Sequence, residues 1–253
     1  MKTVWSSGGG VQSNAIAALI VQGKLPKPDI AVIVDTEQEM SSTWDYYERV
    51  TKPALASVGV DLIRIPKSRY ATVGYFSKNG DTFLMPVFTD FTGEPAKLPT
   101  NCSNEWKERV VQRYSRELYP DAKQFSVWIG ITIDEPKRFK QSTGKWLKDY
   151  PLARLRMRRH NCINLVVNEM GWPLPPKSTC WNCPNKGHED WMAQKRDYPA
   201  DFEAACQFDE WMRREVDDTF YLHRSCKPLR DVTEGDCQGD LFTGRCDSGF
   251  CMT

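Results

Sequence analysis

The stretch Thr3-Val4-Trp5-Ser6-Ser7-Gly8-Gly9-Gly10-Val11-Gln12-Ser13 decides the fold of this 253-residue chain. Its first three residues favour a β-strand, and three consecutive glycines then interrupt the regular structure. Apolar residues recur at helical spacing across Ala15–Ile20, and Gly23 closes that segment. The N-terminus is therefore predicted to form a strand, a glycine loop and a helix.

The segments that follow repeat this alternation. Ile30–Val34 is continuously apolar and rich in β-branched residues, which is typical of a strand buried on both faces of a parallel sheet. Val60–Ile65 and Phe125–Ile131 are predicted as further strands, with helical patterns near residues 44–50 and 110–118. The order predicts an α/β fold of the Rossmann-like type, a mainly parallel twisted sheet with helices on both faces.

The rest of the chain divides into three parts. Residues 67–101 contain short apolar pieces among glycines and prolines, and we expect an irregular excursion or a small hairpin there. Helical patterns return at residues 163–170 and 202–216. We expect residues 1–218 to form the α/β domain and residues 219–253 to form an irregular cysteine-containing tail packed on it.

Composition excludes several classes of protein. With 34 Lys and Arg against 33 Asp and Glu, the net charge is only +1, so no overall field attracts a polyanion or a membrane. The longest apolar run, Ala15–Val21, is far shorter than the ~20 residues of a membrane span. Because the N-terminus lacks a signal-peptide pattern, we expect a cytoplasmic protein without a membrane partner.

One segment departs from this neutrality. Nine basic residues and one acid, Asp149, lie between Lys137 and Arg159. These cations are suited to binding the phosphates or sulfate of a nucleotide. They are equally suited to a nucleic acid, with Trp146 for base stacking, and most also fit a solvated helix face.

The glycine loop itself indicates phosphate binding. Glycines leave backbone N–H groups unshielded, and the following helix directs its positive N-terminal end at the same place. Neither GxxxxGK[ST] nor GxGxxG fits, because no lysine follows the glycines and Gln12 and Ser13 occupy the later positions. The alternative is a tight turn without a ligand.

The segment Ser7–Ser13 resembles the SGGxDS loop of the PP-loop, or adenine nucleotide α-hydrolase, superfamily. Within it, the chain is most similar to the phosphoadenosine phosphosulfate (PAPS) reductase family and its phage-encoded relatives. Gln12 replaces the aspartate of that loop, and Gly8 stands where the first serine is usual. The resemblance covers roughly residues 3–212 and includes four more segments, Asp35-Thr36 with Thr43, Gly130–Arg138, Tyr150-Pro151-Leu152 and Ser178–Pro184 with Trp191.

The resemblance implies a site for ATP or PAPS. Its nucleotide-binding residues would be Ser7, Gly8, Gly9, Gly10, Gln12, Ser13, Asp35, Thr36, Gly130, Asp134, Glu135, Lys137 and Arg138. Asp35 would accept hydrogen bonds from the adenosine, or it would cap the next helix. Asp134 and Glu135 would hold Mg²⁺ against the phosphates, or they are ordinary surface acids.

The nine cysteines are an odd number and indicate metal binding or thiol chemistry rather than a disulfide framework. Cys180-x-x-Cys183 has the spacing of metal ligands, although two buried thiols would look the same. Zinc would need two further ligands, for which the candidates are Cys102, His160, Cys162, His188, Cys206 and Cys226. The resemblance instead implies a 4Fe-4S iron-sulfur cluster on Cys102, Cys180 and Cys183, with Asn101 where the family has a further cysteine.

Three functions remain open at this point. A PAPS reductase would attack the sulfate sulfur with a C-terminal cysteine, here Cys251, and would need a thioredoxin-like reductant. The tail thiols Cys237, Cys246 and Cys251 would otherwise be cluster ligands or inert. The first alternative is an ATP pyrophosphatase that adenylates and thiolates, or otherwise modifies, a nucleic-acid base. The second is a zinc-stabilised nucleotide-binding module without catalysis.

Overall fold

The N-terminal strand, glycine loop and helix form as predicted. The computed structural model describes residues 1–71, 74, 84–91 and 93–237. The strands in these residues are β1 Lys2–Ser7, β2 Ile30–Asp35, β3 Leu62–Pro66, β4 Phe88–Thr89, β5 Ala96–Lys97, β6 Phe125–Trp128, β7 Trp146–Asp149 and β8 Phe220–Tyr221. The α-helices are α1 Val11–Val21, α2 Ser41–Tyr46, α3 Lys52–Ala56, α4 Arg109–Leu118, α5 Pro151–Arg154, α6 Arg159–Asn164, α7 His188–Asp197 and α8 Pro199–Glu215. Shorter π-helical turns adjoin several of them, at Tyr47–Thr51, Asn104–Glu108 and Leu165–Glu169.

The chain divides into two compact units. The first contains residues 1–71 and 106–178, and the second contains the described residues of 72–105 and 179–253. The division between the units falls after residues 71, 105 and 178 of the chain. The predicted division at residue 218 stays a prediction.

The first unit is built on a five-stranded parallel sheet in the order β3-β2-β1-β6-β7. Side chains alternate across it: Trp5 packs with α1 on one face, and Val4 packs with Val110 of α4 on the other. All six residues of β2 are buried, as its unbroken apolar run predicts. Helices on both faces of a parallel sheet confirm the predicted α/β class.

The strand order creates one distinctive position. The chain runs from β1 outward through β2 and β3, and then returns to the other side of β1 to form β6 and β7. The connections that leave β1 and β6 therefore diverge at the carboxyl edge of the sheet. In open α/β sheets this switch point is where a crevice for ligands forms.

The second unit contains a small antiparallel sheet in the order β5-β4-β8, together with α7 and α8. The β4–β5 pair lies within the segment predicted as a hairpin or an irregular excursion. Among the described residues of both units, no helix is both long and apolar enough to cross a bilayer.

Asp209 of α8 joins this helix to the segment that follows it. Its side chain is completely buried, and its two carboxylate oxygens accept hydrogen bonds from the amides of Leu222 and Leu229, each at 2.9 Å. Arg213 forms an ion pair with the same carboxylate. Burial raises the pKa of Asp209, while these donors act in the opposite direction.

We predict that Asp209→Ala lowers the free energy of unfolding by about 3 kcal/mol, because it leaves buried donors without an acceptor. Asp209→Asn keeps one acceptor oxygen and should give an intermediate loss. Asp218, which is exposed, provides the control variant, Asp218→Ala, which should change little. Urea unfolding measures all three, and equal stability of the two alanine variants would contradict the assignment.

Candidate functional site

The glycine loop between β1 and α1 is held in shape by its own polar side chains. The amide of Gly8 donates to Ser13 Oγ at 2.8 Å, and the amide of Gly9 donates to Ser7 Oγ at 3.3 Å. Both serines are buried. The two serines predicted to bind a nucleotide therefore also fix the conformation of the loop from within.

Gly9 could not be replaced by another residue without displacing its neighbours. Its φ is +79°, in the region that favours glycine. A Cβ at this position would lie 2.8 Å from Thr43 Cγ2 and 3.4 Å from Ile33 Cδ1. It would also lie 3.8 Å from Ser178 Oγ, so the loop is packed against both Thr43 and Ser178.

Asn14 holds the loop from the inside, a role that the sequence did not reveal. This side chain is 1% exposed, and its amide nitrogen donates to the carbonyls of Gly9 and Gly10, both at 3.0 Å. Its oxygen accepts a hydrogen bond from Thr51 Oγ1 at 2.6 Å. The loop carbonyls are thus engaged by Asn14, and the Gly8 and Gly9 amides by the two serines, so the donors left for another partner are those of the first turn of α1.

The first turn of α1 supplies those amides. The helical hydrogen-bond ladder begins with Asn14 N to Gly10 O at 3.0 Å, so the amides before it have no acceptor within the helix. Gly10 is the N-cap residue, with φ −86° and ψ −174°, and it has no side chain to cap them. A helix start of this kind attracts anions.

On the other side of the switch point, the segment after β6 forms a polar cluster with the loop. Gln12 Nε2 donates to Glu135 Oε2 at 2.5 Å, and Arg138 Nη1 donates to Glu135 Oε1 at 2.5 Å. Arg138 is 4% exposed. A Cβ on Gly130 would lie 3.3 Å from Gln12 Cβ, so Gly130 permits this close approach.

This cluster gives a physical reason for glutamine at position 12. An aspartate there would place a second carboxylate beside Glu135, and like charges in a partly buried site repel. The Gln12 amide donates to Glu135 instead, while Arg138 compensates its charge. The structure thus joins five predicted residues around the loop by direct contact, namely Gln12, Ser13, Gly130, Glu135 and Arg138.

Asp35, at the end of β2, is engaged by neighbouring protein groups. Its Oδ1 accepts the amide of Glu37 at 2.6 Å, and its Oδ2 accepts Arg64 Nε at 2.9 Å and Nη2 at 2.5 Å. Arg64 also stacks on the ring of Trp44, 3.7 Å from its centroid. Asp35 does not cap α2, because the N-cap of that helix is Met40. Its contact with adenosine stays a prediction.

The remaining predicted residues have mixed surroundings. Thr36 is buried and Lys137 is exposed. Asp134 is exposed, and its Oδ2 accepts the amide of Arg159, the first residue of α6, at 2.7 Å. Asp134 thus caps α6, a role that the sequence did not reveal, and its binding of Mg²⁺ stays a prediction.

The basic segment is partly neutralised within the fold. Besides the Arg138 pair, Lys148 lies 3.2 Å from Glu108, and Arg154 lies 3.1 Å from Asp149. Trp146 stacks on Phe125, with ring centroids 4.4 Å apart and planes 10° apart. One face of the indole is therefore used inside the protein, and the predicted nucleic-acid partner remains a prediction.

The predicted metal ligands Cys102, Cys180 and Cys183 lie in the second unit, and none of the three forms a disulfide. In the part of the chain that the structure describes, no group of three or more His, Cys, Asp or Glu residues is placed to hold a metal ion. The described residues alone therefore do not complete a ligand set, and the iron-sulfur cluster, the zinc ion and the magnesium ion stay predictions. Cys246 and Cys251 lie outside the described residues.

The fold and the loop together define a class: an α/β protein with a glycine loop and an uncapped helix start at the switch point of a parallel sheet. No protein-family model and no curated protein sequence matches the chain. Among solved structures, it is similar to a PAPS reductase from Candida auris in a phosphate complex. That similarity has 15% identity and a TM-score of 0.43, and covers 72% of this chain and 82% of the other.

A second similar structure is a U34-tRNA thiolase from Methanococcus maripaludis with its 4Fe-4S cluster. Here the identity is 12% and the TM-score 0.40, with 85% of this chain and 72% of the other covered.

We predict that Gly9→Ala destabilises the protein by about 2 kcal/mol or more, because it combines positive-φ strain with a clash against Thr43. The matched control is Gly23→Ala, since Gly23 has φ +70° but nothing within 4 Å of the added Cβ. Combining Gly9→Ala with Thr43→Ser, which removes the clashing methyl group, should restore part of the loss. Chemical unfolding of the four proteins gives the answer, and an equal loss in both glycine variants would show that the close approach is unimportant.

Proposed function

We propose that this chain is an enzyme that binds an adenine nucleotide by its phosphates at the glycine loop Ser7–Gly10 and the first turn of α1. One observation carries the proposal: uncapped amides at the switch point of a parallel sheet, in a loop whose carbonyls are engaged by buried Asn14. Such a surface has donors and a positive helix end but no side chain of its own to satisfy them.

Orphaned polar groups in the segment after β2, one of which packs against the loop, support a bound ligand. Thr43 Oγ1 is buried without a hydrogen-bond partner, and so are both amide atoms of Gln38. Buried polar groups without partners are rare in native proteins, because each costs about 1–3 kcal/mol. Thr43 is the residue that packs against Gly9.

The reaction we propose is phosphosulfate reduction, which follows from the motif resemblance to PAPS reductases. A thiolate would attack the sulfate sulfur, the bond from sulfur to the phosphate oxygen would break, and the nucleoside bisphosphate would leave. A dithiol protein of the thioredoxin type would then release sulfite and restore the thiol. Cys251, in the tail beyond the described residues, is the nucleophile we assign by position.

In this proposal, the uncapped amides of the first turn of α1 hold the phosphate oxygens and orient the sulfate group. Glu135 has both oxygens occupied by Gln12 and Arg138, so its role is to fix the loop rather than to exchange a proton. The cluster thus keeps the first turn of α1 in position while the ligand enters.

The variant Gly10→Asp tests the site, because its carboxylate would compete with a bound phosphate for the first-turn amides of α1. The backbone of Gly10 is in the extended region, and an added Cβ would meet only Ser178, at ordinary contact distance of 3.7 Å, so the substitution is compatible with the fold. Aspartate is a preferred N-cap residue, and its carboxylate would bond the same amides as a phosphate. We predict unchanged or higher thermal stability and at least about tenfold weaker binding of PAPS and ATP.

The control is Gly10→Ala, which adds the Cβ without the carboxylate and should bind nearly as well as the native chain. Isothermal calorimetry measures the affinities, and differential scanning calorimetry measures the stability. If Gly10→Asp binds both nucleotides with native affinity, the phosphates lie elsewhere.

The reaction is tested separately by sulfite release from PAPS with a dithiol reductant. We predict release by the native chain and none by Cys251→Ser. Sulfite release that persists in Cys251→Ser would show that Cys251 is not the nucleophile. It would not contradict the proposed nucleotide site.

A further inference from the structure

The connection between α5 and α6 presents a group of arginines to solvent. Residues 154–159, which we call the arginine turn, read Arg-Leu-Arg-Met-Arg-Arg, and all except half-buried Met157 are exposed. Arg154 lies 3.1 Å from Asp149 and is paired with it. The other three arginines form no ion pair with any residue that the structure describes, namely Arg156, Arg158 and Arg159.

The arginine turn is fixed to the segment that follows β6. The amide of Ile133 donates to the carbonyl of Met157 at 3.1 Å, and the amide of Arg159 donates to Asp134 Oδ2 at 2.7 Å. Both contacts use backbone groups of the turn. The turn is therefore held in place without using the charge of its arginine side chains.

Lys140 adds a further cation beside α5. It is exposed, and its amide donates to the hydroxyl of Tyr150, the residue before α5, at 2.9 Å. No acid in the described part of the chain pairs with its side chain. Because α5 has four residues and is only about 6 Å long, Lys140 lies close to the arginine turn at the other end of this helix.

The two acids that contact the turn do not balance its charge. Asp134 accepts the amide of Arg159, and Asp149 pairs with Arg154. The four arginines of the turn and Lys140 exceed these two carboxylates by three positive charges. In a chain whose net charge is +1, this is a local surplus that favours an anionic partner.

Arg156 occupies a backbone position that glycine would fill at lower cost. Its φ is +54°, in the left-handed region, and the amide of Met157 donates back to the carbonyl of Leu152 at 2.8 Å. The same motif closes α1 and α3, where the left-handed residues are Gly23 and Gly59. An arginine at this position costs stability relative to glycine, which points to a use of its charge outside the fold.

The chemistry of this surface fits the phosphates of a nucleic acid. Guanidinium groups bind phosphate oxygens in a bidentate manner, and a row of phosphates gains affinity from the release of counterions. The buried core of a protein interface is more apolar, whereas the exposed large apolar side chains of residues 130–160 are only Ile133 and Leu155. No aromatic ring of residues 130–160 is exposed, so the surface offers no stacking platform for bases.

We propose that the arginine turn and Lys140 form a docking surface for a nucleic-acid strand, which they bind by its phosphates without selecting a base sequence. The surface does not include the first-turn amides of α1, so the inference does not rest on the nucleotide site proposed above. A single nucleotide lacks the row of phosphates that several separate cations require, and should not displace the strand.

The test is fluorescence anisotropy of a labelled strand of about 20 thymidylates, titrated with the full chain at several salt concentrations. We expect the logarithm of the association constant to fall with the logarithm of salt concentration with a slope of about −3, since each of about four phosphate contacts contributes roughly −0.7. A strand of cytidylates should bind equally well, and saturating ATP should not displace either strand.

Arg156→Gly should weaken binding roughly three- to tenfold and make the slope shallower by about 0.7, because one phosphate contact is lost. It should also raise the melting temperature by roughly 2–4 °C, since glycine relieves the left-handed strain. Arg156→Lys keeps the charge and should keep the slope. Exposed Arg214, which pairs with Glu215 in α8, provides the control variant Arg214→Gln, which should bind as the native chain does.

Four results would overturn the proposal. The native chain does not bind the strand at low salt, or Arg156→Gly and Arg214→Gln weaken binding equally, which would show an effect of overall charge. Polyglutamate of similar length binds as tightly as the strand, which would favour an acidic protein as partner. ATP displaces the strand and Arg156→Gly weakens ATP binding, which would assign the turn to the nucleotide site. The first two results leave that site untouched, because Gly10→Asp tests it separately.

Discussion

The close approach of Gly9 to Thr43 is the constraint on which the site depends. It allows the chain to turn sharply from β1 into α1 while the loop lies against the segment that follows β2. Asn14 completes the arrangement by binding the loop carbonyls from the core side. The consequence is electrostatic, since the donors of the first helical turn are left for a ligand while the acceptors are used within the fold.

The same region shows why glutamine is compatible with position 12, where the SGGxDS loop has an aspartate. Gln12 lies between the glycine loop and Glu135, where an acidic side chain would repel the carboxylate. The amide keeps the hydrogen bond, and Arg138 balances the remaining charge. These contacts with Glu135 join the glycine loop to the segment after β6, across the switch point of the sheet.

Much of the first unit was predictable from sequence, because its strands are strongly patterned. The unbroken apolar run of β2 and the glycines before α1 each specify a local structure that the fold retains. The Gln12–Glu135 contact and the stacking of Arg64 on Trp44 were not predictable, since each joins residues that are distant in sequence. The hydrogen bonds of Asn14 to Gly9 and Gly10 are local, but the sequence pattern does not indicate where an amide side chain is directed. The strands β4, β5 and β8 have two residues each, which is too short for a periodic pattern in the sequence. Residues 179–218 belong to the second unit, but a helical pattern in the sequence does not indicate which unit a helix joins.

The central claim is that the first-turn amides of α1 bind the phosphates of an adenine nucleotide, and residue-specific amide NMR tests it most directly. In a titration of the labelled chain with ATP or PAPS, the account predicts saturable shifts of the Gly10, Val11, Gln12 and Ser13 amides. Gly23, at the opposite end of α1, and Gly171, after the turn Leu165–Glu169, should not move. Nucleotide binding that shifts residues of the basic segment 137–159 while those four amides stay unchanged would contradict the account.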